Sequence, residues 1–299
     1  MRVSTNSKAN GLLINLQQTA RRIEELQNQL ATGKRFQVPS EDPNATRDSM
    51  ELRTVGTEVE QYLKNANDGA GWLETTDIAL DQLGSVFSNA KDLAIYGAND
   101  SLPAESKMAL AQKGRQLIAQ AVQIANSTHG SRYIFAGYST GTKPYALNAD
   151  GVTVTRAAPL DAGQDITRQV GDGEQVTINV TGDTLQGTSN IFDALKGLVQ
   201  DLEAGNSSSL STTRAAEIEA AGDHILEMRA RVGAKVNRME AVQDQLQGIQ
   251  INFTSLLSKA EDADIPRALI DLKVAQSAYE TALAVGARII PPTLVDFLR

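Results

Sequence analysis

The two ends of this 299-residue chain carry similar one-sided apolar patterns. Large apolar side chains recur there at alternating steps of three and four residues, which is the spacing of one face of an α-helix. Neither predicted helix has a partner next to it in sequence, so the pattern predicts that the two ends pack together and against other copies. This favours a polymer subunit over an enzyme. The members of this terminal seam are Leu12, Leu16, Ile23, Leu26, Leu30, Ile265, Leu269, Leu272, Tyr279, Leu283 and Ile290.

Composition narrows the classes of partner and chemistry. The net charge of -8 argues against nucleic acid, because affinity for nucleic acid comes largely from clustered Lys and Arg. The chain has no cysteine, which excludes disulfides and thiolate chemistry. No apolar run reaches the ~20 residues of a membrane helix, and the N-terminal run 11–14 is too short for a Sec signal. We therefore expect neither nucleic acid nor a membrane as partner. Because no Sec signal is expected, an extracellular destination would require a dedicated export machine.

Two long stretches between the ends keep the helical spacing, from 43 to 96 and from 218 to 260. Asp42 suits the N-cap of the first, Pro43 suits its first position, and Gly97 suits its end. The two stretches have similar length and period, so we predict that they pair as a helical rod.

The residues between the rod helices change in character. Helices are predicted at 104–127 and 191–203, the second followed by a linker at 205–209. From 130 to 187 the apolar period changes to two, with turn signals between the runs, which indicates a small antiparallel β module.

The predicted fold is therefore mainly α with a small inserted antiparallel β domain. It consists of a long antiparallel helical rod plus terminal coiled-coil helices. The predicted domains are a terminal assembly domain (1–40 and 262–299), a rod domain (41–130 and 189–261) and a β domain (131–188).

One catalytic motif is present by its letters, since Gly137 to Gly141 reads G-x-S-x-G around Ser139. A nucleophile elbow requires a helix immediately after the serine, whereas Pro144 follows closely here. A serine esterase using Ser139 remains a remote alternative, and the preferred interpretation is a turn that enters the β module.

Other polar residues have ordinary explanations. His129 and His224 are too few and too isolated for a zinc site, and the aspartates of the β module lack EF-hand spacing, so we predict no cofactor, no metal site and no catalytic residue. Lys235 interrupts the apolar seam of the second rod helix, and we expect its side chain to reach the rod surface. Thr19, Gln276 and Gly286 stand at seam positions, either as tolerated imperfections or to set the register and allow close helix approach.

Several stretches resemble the flagellin superfamily. On the outgoing leg these are Gln29 to Arg35, Val38 to Pro43 and Asn65 to Gly69, which resemble its "LSTGKR", "PSDDP" and "NANDG" motifs. On the return leg, Arg229 to Glu240 is similar to "RA.LGA..NRLE", and Glu261 to Asp264 matches "EDAD". Together the matches lie in both helical legs.

Within the superfamily, two stretches resemble the family of hook–filament junction proteins (hook-associated protein 3) more than flagellin. Gly130 to Tyr145 is similar to its "YIFAG...T.PF" pattern, and Ile290 to Leu298 is similar to its "QPSLLDFL" ending. Pro291 departs from the usual polar residue, and the β module is smaller than many members carry. By this resemblance the tail residues Leu294, Phe297 and Leu298 join the subunit interface.

The resemblance implies a structural subunit of the bacterial flagellum that joins the hook to the filament. Its expected partners are hook-associated protein 1, flagellin, copies of itself in a ring and a flagellar export chaperone. The expected location is extracellular, at the hook–filament junction, after export without a cleaved Sec signal. The alternative is a flagellin-type subunit that forms the filament itself. In either case we expect the terminal helices to order on assembly, and the free chain to fold from about 43 to 260.

Overall fold

The structure is a computed structural model that describes residues 2–156, 165–186 and 190–289. The fold is mainly helical with short antiparallel strands, which confirms the predicted fold class. The elements in chain order are α1 (Arg2–Thr32), α2 (Pro43–Gly97), α3 (Ala104–Ala125), β1 (Thr128–His129), β2 (Arg132–Tyr133), β3 (Tyr145–Leu147), β4 (Val154–Arg156), β5 (Thr167–Gln169), β6 (Gln175–Thr177), α4 (Gly182–Gln186), α5 (Ile191–Ala204), α6 (Ser207–Ser209), a π-helical turn (Leu210–Arg214), α7 (Ala215–Glu261) and α8 (Ile265–Ile289).

The chain divides into two compact units. Unit 1 contains Met1–Glu58 and Gln250–Arg299, and unit 2 contains Val59–Ile249. The divisions fall inside α2 and α7, so each long helix contributes residues to both units. None of the helices in the described part of the chain is long and apolar enough to cross a membrane.

Local sequence signals set the ends of α2 as predicted. The Asp42 carboxylate accepts a hydrogen bond from the Ala45 backbone N–H at 3.0 Å, which satisfies one of the free donors of the first turn. Pro43 is the first helical residue, where its missing N–H costs nothing. The helix ends at Gly97.

In unit 2, α2 and α7 run antiparallel, as predicted for the rod helices. Three polar contacts show the register: Lys91 with Glu219 at 2.9 Å, Arg229 with Asp77 at 3.0 Å, and Gln243 with Asn67 at 3.0 Å. Helices α3 and α5 pack against each other in the same unit. Its largest fully buried side chains are Trp72, Tyr145, Phe87, Phe135, Phe192, Leu73, Leu80, Leu83, Ile118, Ile134, Ile178 and Leu185.

The β module consists of three two-stranded antiparallel ribbons, β1–β2, β3–β4 and β5–β6. Its strands are shorter than the period-two pattern predicts. The first run predicted as a strand is 133–136. Of it, β2 contains only Tyr133, and the Ile134 N–H still donates to the Ser127 carbonyl at 3.1 Å, whereas Ile134 and Phe135 lie outside the strand and are completely buried. Tertiary packing has therefore overridden the local pattern.

The predicted linker at 205–209 is largely helical. Gly205 has a φ of 70° and ends α5, and the Asn206 side chain then accepts a hydrogen bond from the Ser209 N–H at 3.4 Å. The helix restarts at Ser207 and continues through the π-helical turn into α7. Capping by Asn206 explains why a polar Gly-Asn-Ser run starts a helix here.

Candidate assembly surface

Helices α1 and α8 form the contact that the terminal seam predicts. Leu26, Leu272, Ala268 and Ala275 make a buried cluster in unit 1, with exposures of 6 to 9%, and Ile23 and Leu30 pack against it at partial burial. Near the other end of the pair, the Leu12 side chain lies 2.7 Å from the place that a Cβ on Gly286 would occupy. A larger residue at 286 would require the Leu12 side chain to move.

The other seam residues are only partly covered. Leu12, Leu16 and Tyr279 are half-buried. In contrast, Ile265, Leu269 and Leu283 remain 42, 51 and 47% exposed within the single chain. The predicted positions Ile290, Leu294, Phe297 and Leu298 lie outside the described residues.

Sequence reasoning missed a second apolar stripe on α8. Ile270 and Val274 are each 63% exposed, and Val285 is 46% exposed. At 100° per residue, these three lie on the side of α8 that faces away from the buried cluster. The spacing of 270, 274 and 285 places these apolar residues on one side of the helix. The seam pattern describes only the opposite face and therefore did not include them. We call Ile270, Val274 and Val285 the outer stripe.

A compact ion-pair cluster lies where α1 ends and α7 turns into α8. Glu261, 4% exposed, accepts two hydrogen bonds from the Arg53 guanidinium, both at 2.8 Å, and lies 3.2 Å from the Lys34 ammonium. Lys34 also donates to Asp262 at 2.7 Å. We call Lys34, Arg53, Glu261 and Asp262 the Glu261 clasp.

Backbone hydrogen bonds reinforce the Glu261 clasp. Lys34 and Asp262 form an antiparallel β-bridge. The Arg35 N–H donates to the Glu261 carbonyl at 2.6 Å, and the Ala263 N–H donates to the Gly33 carbonyl at 2.9 Å. The segments that lead out of α1 and into α8 are therefore joined to each other.

Electrostatics in the clasp follow from these contacts. The hydrogen bonds from Arg53, and then the one from Lys34, hold the pKa of the Glu261 carboxyl below its ordinary value. The pKa of Lys34 is raised, first by its hydrogen bond to Asp262 and then by Glu261. Each shift favours the charged form, as expected for paired ions.

The G-x-S-x-G segment does not have the geometry of a nucleophile elbow. Ser139 lies in a turn in which the Ser139 N–H bonds to the Ala136 carbonyl at 3.2 Å, and no helix follows before β3. The ring of His129 contacts the Thr75 hydroxyl at 3.0 Å, and that of His224 contacts the Thr184 carbonyl at 2.7 Å. Both histidines are thus engaged with other groups.

Lys235 and possible metal ligands can also be examined. Lys235 is half-buried in the seam of α7, and burial lowers the pKa of its ammonium while Asp165 opposes that shift. Within residues 2–156, 165–186 and 190–289, no group of three or more His, Asp or Glu side chains could hold a metal ion.

With this geometry established, the chain can be compared with known proteins. Residues 3–140 match the family described as bacterial flagellin N-terminal helical region. This part of the chain is a flagellin-type N-terminal region. It is similar to flagellar hook-associated protein 3 of Escherichia coli, at 23% identity over 85% of this chain and 86% of the relative. It is also similar to the Salmonella typhimurium protein of the same name, at 22% identity over 94% of this chain and 96% of the relative.

A solved structure of a similar protein supports the fold. The crystal structure of flagellar hook associated protein-3 from Legionella pneumophila aligns with a TM-score of 0.62 at 14% identity. The alignment covers 70% of this chain and 98% of that chain. At this identity the likeness shows a shared fold.

Proposed function

We propose that this chain is a structural subunit of the bacterial flagellum that joins the hook to the flagellin filament. The single observation that carries the proposal is the incompletely covered terminal pair. Its seam residues Ile265, Leu269 and Leu283 and its outer stripe remain exposed in the single chain. Exposed apolar patches of this kind mark interaction sites. Similarity over most of the chain to two proteins named flagellar hook-associated protein 3 supports the same role.

The proposed subunit interface consists of the terminal seam with the tail anchors Leu294, Phe297 and Leu298. In this account the exposed seam residues pack against neighbouring copies in a ring, with hook-associated protein 1 on one side and flagellin on the other. The proposed domain roles follow the sequence, with assembly at 1–40 and 262–299, a rod at 41–130 and 189–261, and a β domain at 131–188. Before assembly, an export chaperone would cover the same apolar residues, and the subunit would reach the extracellular junction without a cleaved Sec signal.

A deletion strain tests the junction role. Cells without this gene should keep an intact hook and shed flagellin into the medium, and expression of the full chain should restore attached filaments and motility. Attached filaments on cells that lack the chain would contradict the proposal.

A filament subunit is the second candidate, because the matched family region is that of flagellin itself. The two roles differ in self-association. A filament subunit extends into long polymers when seeded, whereas a junction subunit stops at a short ring. Long filaments grown from the purified chain alone would favour the second role.

A further inference from the structure

The apolar seam of the terminal pair contributes little to the choice of its register. Seam residues recur at steps of three and four, so a shift of one helix by seven residues brings apolar positions back into phase. The buried cluster is also small, since Ala268 and Ala275 make up half of it. Packing of this kind selects which faces meet, but it discriminates poorly between one register and the next.

The Glu261 clasp does not repeat along the seam. It lies where α1 ends and α8 begins, and we call these two helix ends the roots of the pair. The clasp is built from charged residues that lie outside the apolar seam, and it joins the segment after α1 to the segment before α8 through side chains and backbone. With both roots held together, a seven-residue slip would require the clasp to open. An opened clasp would leave the buried Glu261 carboxylate without part of its cationic partners, which is unfavourable.

At the end of the helix pair that lies away from the clasp, the contacts fit the same register as the clasp. Leu12 lies against Gly286, where a missing Cβ leaves room for its side chain. In the same antiparallel register Leu26 lies level with Leu272, and both belong to the buried cluster. The clasp and the Leu12–Gly286 contact thus form in the same antiparallel register.

We propose that the Glu261 clasp sets the register of α1 against α8. Arg53 and Lys34 position Glu261, and the paired roots then direct the two helices into one of the alignments that the seam allows. This role belongs to the single chain and does not require a neighbouring subunit. It goes beyond the junction function, since it concerns how the assembly surface is built before anything binds to it.

Cysteine cross-linking measures the register directly, because the chain contains no cysteine of its own. The native register is reported by Leu12→Cys with Gly286→Cys, because the Leu12 side chain lies 2.7 Å from the place of a Cβ on Gly286. A slip of one heptad is reported by Leu12→Cys with Tyr279→Cys. Both pairs are made in the full chain and oxidised at low protein concentration, so that the disulfide forms within one molecule. Oxidation traps paired helices even where pairing is intermittent.

The ion pairs of the clasp are removed by the variant Lys34→Met, Arg53→Met, Glu261→Met and Asp262→Met, which takes out two positive and two negative charges together and leaves none buried alone. With the clasp intact, we expect the native pair to form at least about tenfold faster than the slipped pair. Without the clasp, the ratio should fall to about threefold or less. The control removes the exposed Arg47–Asp48 pair of the same unit by Arg47→Met and Asp48→Met, and it should leave the ratio unchanged.

Two results would overturn the proposal. One is a native preference that survives removal of the ion pairs, which would show that the side chains of the clasp do not set the register. The other is the absence of any preference in the chain with an intact clasp. A thermal melt of each variant confirms that unit 2 is folded. Neither result bears on whether the chain acts at the hook–filament junction.

Discussion

Unit 2 and the terminal pair of unit 1 bury apolar surface in very different ways. Unit 2 contains a dozen large side chains with almost no exposure, including Trp72, Phe87 and Ile118. The described part of the terminal pair has one cluster, with Leu26 and Leu272 as its two large buried residues. Unit 2 therefore has a large core of its own within one chain, whereas the terminal pair buries little and leaves apolar surface that a neighbouring molecule can cover.

The largest expected effect is a cavity in unit 2. Leu80 is completely buried, so Leu80→Ala should lower the free energy of unfolding by about 2–5 kcal/mol. The matched variant Leu283→Ala removes the same atoms from a residue that is 47% exposed, and it should change that free energy by less than about 0.5 kcal/mol. Urea melts measure both. If both variants lost the same free energy of unfolding, the terminal pair would be as well packed as unit 2, which would contradict the comparison.

A charge in the terminal cluster should separate folding from assembly. Leu26→Asp places a carboxylate among apolar side chains, so we expect α1 and α8 to separate and filament attachment to be lost. The melt of unit 2 should stay within about 0.5 kcal/mol of the parent. The control Leu26→Met keeps the volume and should assemble. If Leu26→Asp lowers the melt and assembly together, the terminal pair belongs to the core of the monomer.

A smaller effect is expected from the outer stripe. Ile270→Gln with Val274→Gln removes two apolar side chains that α1 does not cover, so the register of α1 with α8 should persist while filament attachment weakens. At about 1.5–3 kcal/mol for each fully buried side chain, and less for partial burial, a loss of about 2 kcal/mol per subunit is expected. The control is Lys273→Gln, on the same helix. Normal filament retention by the double variant would show that the stripe faces solvent in the assembly.

The smallest expected effect is the loss of clasp stability when Glu261 is protonated at low pH. The pKa of Glu261 is lowered in the folded chain, so its charge stabilises the clasp above the ordinary carboxyl pKa of about 4.3. That stabilisation is lost as the pH falls through the lowered value. NMR of the Ala263 amide, which bonds to Gly33 across the clasp, should show a transition below the ordinary carboxyl pKa. Glu261→Gln should reduce it to the part that comes from Asp262, whose pKa is also lowered by Lys34, and an identical transition in that variant would assign the titration to another group.

Local sequence signals predicted the helices well and the long-range features poorly. The Asp42 cap and the Gly97 end depend on neighbouring residues, so the pattern alone located them. Ile134 and Phe135 are in phase for a strand, but burial in the core takes them out of it. The clasp joins Arg53 to a glutamate 208 positions away, and no periodicity reveals such a pair. The motifs around Lys34 and Glu261 were visible in the sequence, although their contact was not.

The terminal seam shows the same division. Its face was predictable from the three- and four-residue steps, which led to Leu26 and Leu272. How much of it one chain covers depends on the partner helix, so the exposure of Leu269 and Leu283 required the structure. That exposure is the observation on which the assembly role depends.

Limited digestion with trypsin tests the central claim most directly, because suitable sites lie in both regions. In the free, monodisperse chain we predict rapid cleavage at Arg21, Arg22, Arg267 and Lys273, which lie on α1 and α8, while Lys107 and Arg115 in unit 2 resist. In chains assembled at the hook the terminal sites should become protected. Terminal sites that resist cleavage in the free chain as strongly as those of unit 2 would contradict the account.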